Sequence, residues 1–92
     1  MSGYIFWSLY FDREMSSELD AIDTYAIKKV KEKRIESGLS QAQLANLLDV
    51  STGFIGMVES GNYQHKYSLA QLNEIAKILK CELYDFIPQH PL

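Results

Sequence analysis

The chain has 92 residues, 47% of them hydrophobic and 23% charged, which is enough for one compact domain and too little for two. Its single cysteine, Cys81, excludes an internal disulfide framework and any multi-cysteine zinc site, and so favours a reducing compartment. No apolar run approaches the roughly 18 residues that a membrane-spanning helix needs. We therefore expect a soluble, cytoplasmic protein with no membrane partner.

The net charge of −3 is unevenly distributed along the chain. Residues 1–23 hold five acids and one base, whereas residues 24–92 hold seven acids and eight bases. Five of those bases lie within residues 28–34. A solvated helix face is the ordinary interpretation of such a run, and contact with an anionic partner is the alternative.

The first 23 residues differ in composition from the rest. Residues 4–11 read Y-I-F-W-S-L-Y-F, a segment of high strand propensity, and an acidic, serine-containing link follows them. We predict a non-helical or strand-like aromatic leader over residues 1–23, separate from a domain over residues 24–92. Because an isolated strand is unstable, the leader forms a dimer interface or exchanged strand, packs on its own helices, or is a flexible segment.

From residue 24 onward, the sequence predicts five short helices and no strand, which is an all-α fold. The first covers about residues 24–37, and Gly38 ends it. Ser40, Ser51 and Ser68 are predicted N-caps of the next three helices, which hold apolar residues at helical spacing. A short last helix covers about residues 82–87 and ends before Pro88.

Two charged residues lie on stripes that are otherwise apolar. Arg34 follows Ile27 and Val30 at helical spacing, and Glu59 lies four residues after Ile55. A lone buried charge is very costly, so we predict an ion pair between Arg34 and Glu59 that fixes the first helix against the third. In the alternative, each side chain reaches solvent separately.

Catalytic chemistry has no support in the sequence. His65, His90 and Cys81 show neither metal-ligand spacing nor a nucleophile beside a base. We therefore predict no enzyme activity, no cofactor and no metal site.

The second and third helices are separated by very few residues, so they must meet at a sharp turn. Gln41, Ala45, Asp49, Ile55 and Val58 have the spacing of such a unit, with a small residue where the helices cross. This pattern resembles the xenobiotic-response-element (XRE) family, the class of the lambdoid phage repressor and Cro proteins. The resemblance also rests on the segments V-K-E-K-R-I-E-S-G-L-S-Q-A-Q-L-A, V-S-T-G-F-I-G-M-V-E-S-G and L-A-Q-L-N-E-I-A-K-I-L-K-C. The resemblance covers about residues 26–87.

The resemblance implies a five-helix repressor-like bundle whose third helix, about residues 51–60, enters the major groove of double-stranded DNA, usually as a homodimer on a two-fold symmetric operator. It also implies an arginine–glutamate pair at positions 34 and 59. The DNA-binding residues that it predicts are Gln41, Ser51, Thr52, Gly53, Phe54, Met57, Asn62 and Lys66.

The third helix departs from the family in its side chains. Gly53, Phe54, Gly56 and Met57 stand where amide or arginine side chains usually read bases, so we expect little hydrogen-bonded readout and more apolar or shape-based contact. Phe54 and Met57 as core residues, and the glycines as sites of close helix packing, are the alternatives. Asp49 replaces the usual turn glycine and tolerates the left-handed conformation.

These features predict a bacterial or phage transcriptional repressor located at the nucleoid. Two alternatives stay open. One is an antitoxin that represses its own operon and holds a small protein toxin on another surface. The other is a protein-interaction module with weak DNA affinity, which the acidic balance favours.

Overall fold

The computed structural model describes residues 19–61 and 64–92. They form four α-helices and a 3₁₀-helix: α1 (Ala21–Glu36), α2 (Gln41–Leu48), α3 (Thr52–Ser60), α4 (Leu69–Leu79) and the 3₁₀-helix (Leu83–Phe86). The predicted all-α fold is confirmed, and no strand occurs in this part of the chain. The predicted fifth helix is a 3₁₀-helix rather than an α-helix. None of these helices is both long and apolar enough to cross a lipid bilayer.

The predicted serine caps begin three of the helices. The Ser40 hydroxyl accepts from the backbone N–H of Gln43, and the Gln43 side chain accepts from the backbone N–H of Ser40. Ser68 has the same reciprocal arrangement with Gln71 at the start of α4. Such caps satisfy backbone donors that have no partner inside the helix, and they explain why the boundaries of α2, α3 and α4 follow the sequence pattern closely.

Helix α1 begins three residues earlier than predicted. Asp20 is its N-cap, and the Asp20 side chain accepts from the backbone N–H of Ile22. Asp is as good an N-cap as Ser, but Asp20 lies in a run of acids that hides the signal. The helix therefore starts inside the predicted leader, whose residues 1–18 lie outside the part of the chain that the structure describes.

One hydrophobic core joins the helices. Its six largest fully buried side chains come from all four α-helices and the 3₁₀-helix: Val30, Leu44, Ile55, Val58, Ile75 and Phe86. The predicted stripes of all four α-helices face this core. The helices therefore hold one another in place, and the position of α3 is set by its buried face.

The turn between α2 and α3 is made by a non-glycine residue, Asp49, in the left-handed conformation. Asp49 has φ 63° and ψ 45°, and its backbone N–H bonds back to α2. The next residue, Val50, donates to the carbonyl of Ala45 at 3.0 Å. Aspartate is one of the few residues that adopt this conformation at modest cost, so the predicted sharp turn forms without glycine.

Candidate nucleic-acid interface

Helix α3 has an inward face and an outward face. Ile55 and Val58 are fully buried, whereas Thr52 and Gly53 are exposed in the first turn of the helix. Gly56 and Met57 are half-buried between the two faces. The outward surface is therefore made of small side chains at the helix N-terminus, where backbone N–H groups and the helix dipole favour an anion.

The N-cap of α3 contributes to the same end of the helix. The Ser51 hydroxyl accepts from the backbone N–H of Phe54 at 3.0 Å, and Ser51 itself is exposed. This bond leaves the serine beside Thr52 and Gly53 at the exposed end of α3. The structure thus brings three of the predicted DNA-binding residues together.

Arg34 and Glu59 meet beneath this surface. Arg34 Nε donates to Glu59 Oε2 at 2.7 Å, and Arg34 Nη2 donates to Glu59 Oε1 at 2.9 Å. The third guanidinium nitrogen, Nη1, donates to the carbonyl of Leu39 at 2.7 Å. Only 10% of the Arg34 side chain and 2% of the Glu59 side chain are exposed. The hydrogen bonds to Glu59 raise the pKa of Arg34, so the guanidinium stays charged and ties α1 to the end of α3.

Gln41 joins this pair, a contact that the sequence did not reveal. Its Nε2 donates to Glu59 Oε1 at 3.0 Å, so one carboxylate oxygen accepts from both Arg34 and Gln41. Gln41 is half-buried at the first position of α2. The sequence assigned Gln41 only to the DNA contact, because no local pattern shows that the last turn of α3 lies beside the first turn of α2.

Phe54 is held against the protein rather than projecting freely. Its ring makes edge-on contacts with Tyr67, at 6.1 Å between ring centroids, and with His65, at 6.2 Å. It is half-buried and packs at the margin of the core. The ring of Phe54 therefore packs partly against the protein, and its predicted contact with DNA stays a prediction.

Tyr67 is a buried polar residue next to the ion pair. Only 5% of the residue is exposed, and its hydroxyl has no hydrogen-bond partner among the described residues. Burial, followed by the nearby charge of Glu59, raises the pKa of Tyr67 well above the ordinary value of 10.0. The phenol therefore stays neutral in the folded protein at pH values where an unfolded chain has begun to ionise.

Replacing Tyr67 by phenylalanine is expected to stabilise the protein, most clearly in alkali. At neutral pH the substitution removes a buried hydroxyl without a partner, and we expect the free energy of unfolding to rise by roughly 1 kcal/mol. Above pH 10, the unfolded state loses the Tyr67 proton and the folded state keeps it. The wild type should then lose up to about 1.4 kcal/mol per pH unit that Y67F retains.

Urea denaturation at pH 7 and at pH values above 10 measures this difference. The matched control is Tyr84→Phe, which removes the same hydroxyl from a residue that is 73% exposed and should leave the free energy of unfolding at pH 7 nearly unchanged. A loss of stability in Y67F at neutral pH would show that the Tyr67 hydroxyl is hydrogen-bonded in solution, contrary to this prediction.

Lys66 lies in the segment after α3 and pairs with α1. Its Nζ is 3.2 Å from Oδ2 of Asp23, and 57% of the Lys66 side chain is exposed. The sequence did not suggest this pair, since the two residues are 43 positions apart. Asn62, the remaining predicted DNA-binding residue, lies outside the described residues.

Helices α2 and α3 and their turn contain few charged residues. From Ser40 to Gly61 the sequence has no lysine or arginine, and its two acids are Asp49 and the paired Glu59. Two lysines of α1, Lys29 and Lys33, form ion pairs within their own helix at 3.6 and 3.8 Å. The predicted DNA-binding residues therefore include one cation, Lys66, and it lies outside α2 and α3.

Among residues 19–61 and 64–92, no three or more histidine, cysteine, aspartate or glutamate side chains are grouped so that they could hold a metal ion. Cys81 is half-buried, and burial raises the pKa of its thiol, which disfavours the reactive thiolate.

Comparison with known proteins shows a family and a likeness to solved structures. A helix-turn-helix family model, HTH_3, matches residues 30–86, which is more than half of the chain. A crystal structure of iron(II) HppE in complex with substrate is 26% identical, with a TM-score of 0.62 over 72% of this chain and 36% of that chain. A cobalt(II) HppE complex with substrate is 25% identical, with a TM-score of 0.64 over 74% of this chain and 37% of that one. This chain thus spans little more than a third of the solved chains. No curated protein matches it.

Proposed function

Since this chain belongs to the helix-turn-helix family HTH_3, the XRE type of DNA-binding regulator, we propose that it is a transcriptional repressor that reads a specific DNA sequence. In this proposal, two copies bind a two-fold symmetric operator, and each places α3 in the major groove. The observation that carries the proposal is the exposed first turn of α3, Ser51 to Gly53, on a helix fixed from behind by the Arg34–Glu59 pair.

Small side chains on α3 favour a close approach to DNA. A Cβ added at Gly53 would meet only the Ser51 hydroxyl, at 3.9 Å, so no other described residue occupies the space beside this glycine. An interior glycine costs a helix about 1 kcal/mol relative to alanine. Since packing of the described residues does not require Gly53, contact of its backbone with a ligand is the better explanation for the cost.

Selection of bound duplexes from a random DNA pool, followed by mass measurement of the complex in solution, tests the proposal. We expect a palindromic sequence with half-sites about one helical turn, roughly 34 Å, apart and two chains per duplex. A bound but asymmetric sequence with one chain would contradict the homodimeric repressor. Recovery of no sequence, even at low salt, would contradict DNA binding itself.

Release of Lys66 from Asp23 is expected to strengthen DNA binding. In Asp23→Asn, the lysine loses an exposed ion-pair partner at 3.2 Å and becomes available to a phosphate. We expect a several-fold gain in affinity, with the slope of log K against log salt steeper by about 1 for each protomer. Fluorescence anisotropy of the full chain at several salt concentrations measures both quantities.

Glu74→Gln is the matched control for this experiment. It removes the acid of another exposed ion pair, Lys77–Glu74 at 3.1 Å, which lies within α4. The two variants change the net charge equally, so a general charge effect would raise their affinities alike. Equal gains in D23N and E74Q would therefore contradict a specific role for Lys66.

A second candidate function is a protein-interaction module with weak DNA affinity. The absence of lysine and arginine from Ser40 to Gly61 favours it, because a surface without cations attracts phosphates weakly. Under this alternative, the duplex selection recovers nothing while the folded chain retains a protein partner in pull-down experiments.

A further inference from the structure

The side chain of Gln41 has one defined orientation at the junction of α2 and α3. Glu59 Oε1 accepts from Gln41 Nε2 at 3.0 Å, and Arg34 holds both oxygens of that carboxylate. An ionised carboxylate can only accept hydrogen bonds. The amide must therefore turn its nitrogen towards Glu59, and its carbonyl oxygen must point elsewhere.

The Gln41 carbonyl oxygen lies beside Gly56 of α3, where the helix has no side chain. It is the neighbour that a Cβ at Gly56 would meet, at 3.6 Å. Thr52 and Gly53 lie four and three residues before Gly56, so the half-buried Gly56 adjoins the exposed face that these two residues form. Gln41 thus places an amide over the face on which α3 itself carries no amide or arginine side chain.

We infer that Glu59 is a positioning residue for DNA readout, because it orients Gln41 so that α2 supplies the polar contact that α3 lacks. This inference rests on the proposed function. With one N–H bonded to Glu59, the amide keeps one N–H donor and the Oε1 acceptor, and none of the described residues donates to that oxygen. Such a donor–acceptor pair matches the major-groove edge of adenine, which presents N7 as acceptor and the N6 amino group as donor.

The experiment compares four proteins on the selected operator and on duplexes with each base pair replaced in turn. They are the wild type, Gln41→Ala, Glu59→Gln and the double variant, all checked for folding by circular dichroism. We expect both single variants to lose about 5-fold to 150-fold discrimination at the same A·T pair, and the double variant to lose no more than Q41A. In the wild type, 7-deazaadenine at that pair should reproduce the loss.

Each outcome separates the inference from the proposed function. If Glu59 were only structural, E59Q would weaken binding to every duplex by the same factor and its effect would add to that of Q41A, which would overturn the inference. Unchanged discrimination in Q41A, a variant of a half-buried surface position, would also overturn it while DNA binding survived. Failure of the wild type to bind any duplex would instead reject the proposed function. Gln89→Ala, at an exposed glutamine near the C-terminal end, is the matched control and should change nothing.

Discussion

Glu59→Ala is expected to lower the free energy of unfolding by roughly 3–5 kcal/mol, because it leaves the Arg34 guanidinium buried with no counter-charge. Only 10% of the Arg34 side chain is exposed, so water cannot replace the two hydrogen bonds that the guanidinium loses without local rearrangement. Domains of this kind have total stabilities of about 5–15 kcal/mol. Urea denaturation followed by circular dichroism should therefore show a large fall in the midpoint.

The double variant Arg34→Met with Glu59→Leu shows how much the intact ion pair adds to the free energy of unfolding. In E59A, by contrast, the measured loss also contains the penalty of an unpaired buried charge. When both charges are replaced by apolar side chains of similar volume, the desolvation cost disappears together with the attraction. We expect this variant to recover most of the stability that E59A loses. A double variant as unstable as E59A would mean that the loss comes from packing at position 59 and not from an unpaired charge.

The Arg34–Glu59 pair was predictable from sequence because both residues follow apolar residues at helical spacing. Helical spacing places Arg34 on the stripe of Val30, and the same spacing places Glu59 on the stripe of Ile55. Two charged side chains that face the core from neighbouring helices avoid the desolvation penalty of an unpaired buried charge when they form an ion pair. The serine caps were predictable for a similar reason, since Ser40 and Gln43 act within one turn of the same helix.

Contacts between distant parts of the chain were not predictable in the same way. Gln41 reaches Glu59 because of the angle at which α2 meets α3, and that angle depends on packing throughout the core. Phe54 turns towards Tyr67 because the segment before α4 passes alongside α3. These contacts change the candidate site, since a residue assigned to DNA from its position also has a partner inside the protein.

Thr52→Glu is expected to abolish operator binding without weakening the fold. Thr52 is exposed at the first position of α3, where a carboxylate interacts favourably with the helix dipole and adds about 0.3–1 kcal/mol to stability. If α3 enters the major groove as proposed, the same carboxylate would meet phosphates and base acceptors, and like charges at an interface cost several kcal/mol. We expect an affinity loss of about 100-fold or more in fluorescence anisotropy, with an unchanged or higher urea midpoint.

Tyr84→Glu shows whether position, and not added charge, causes the loss. Tyr84 is 73% exposed on the 3₁₀-helix, which packs against α1 and α4, and its substitution adds the same negative charge to the protein. If α3 enters the groove, Y84E should bind the operator within about three-fold of the wild type, because charge outside the contact surface is screened by salt. Equal losses in T52E and Y84E would mean that net charge alone governs binding. If T52E binds the operator as tightly as the wild type, the first turn of α3 does not contact DNA, and the proposed placement of α3 in the major groove is wrong.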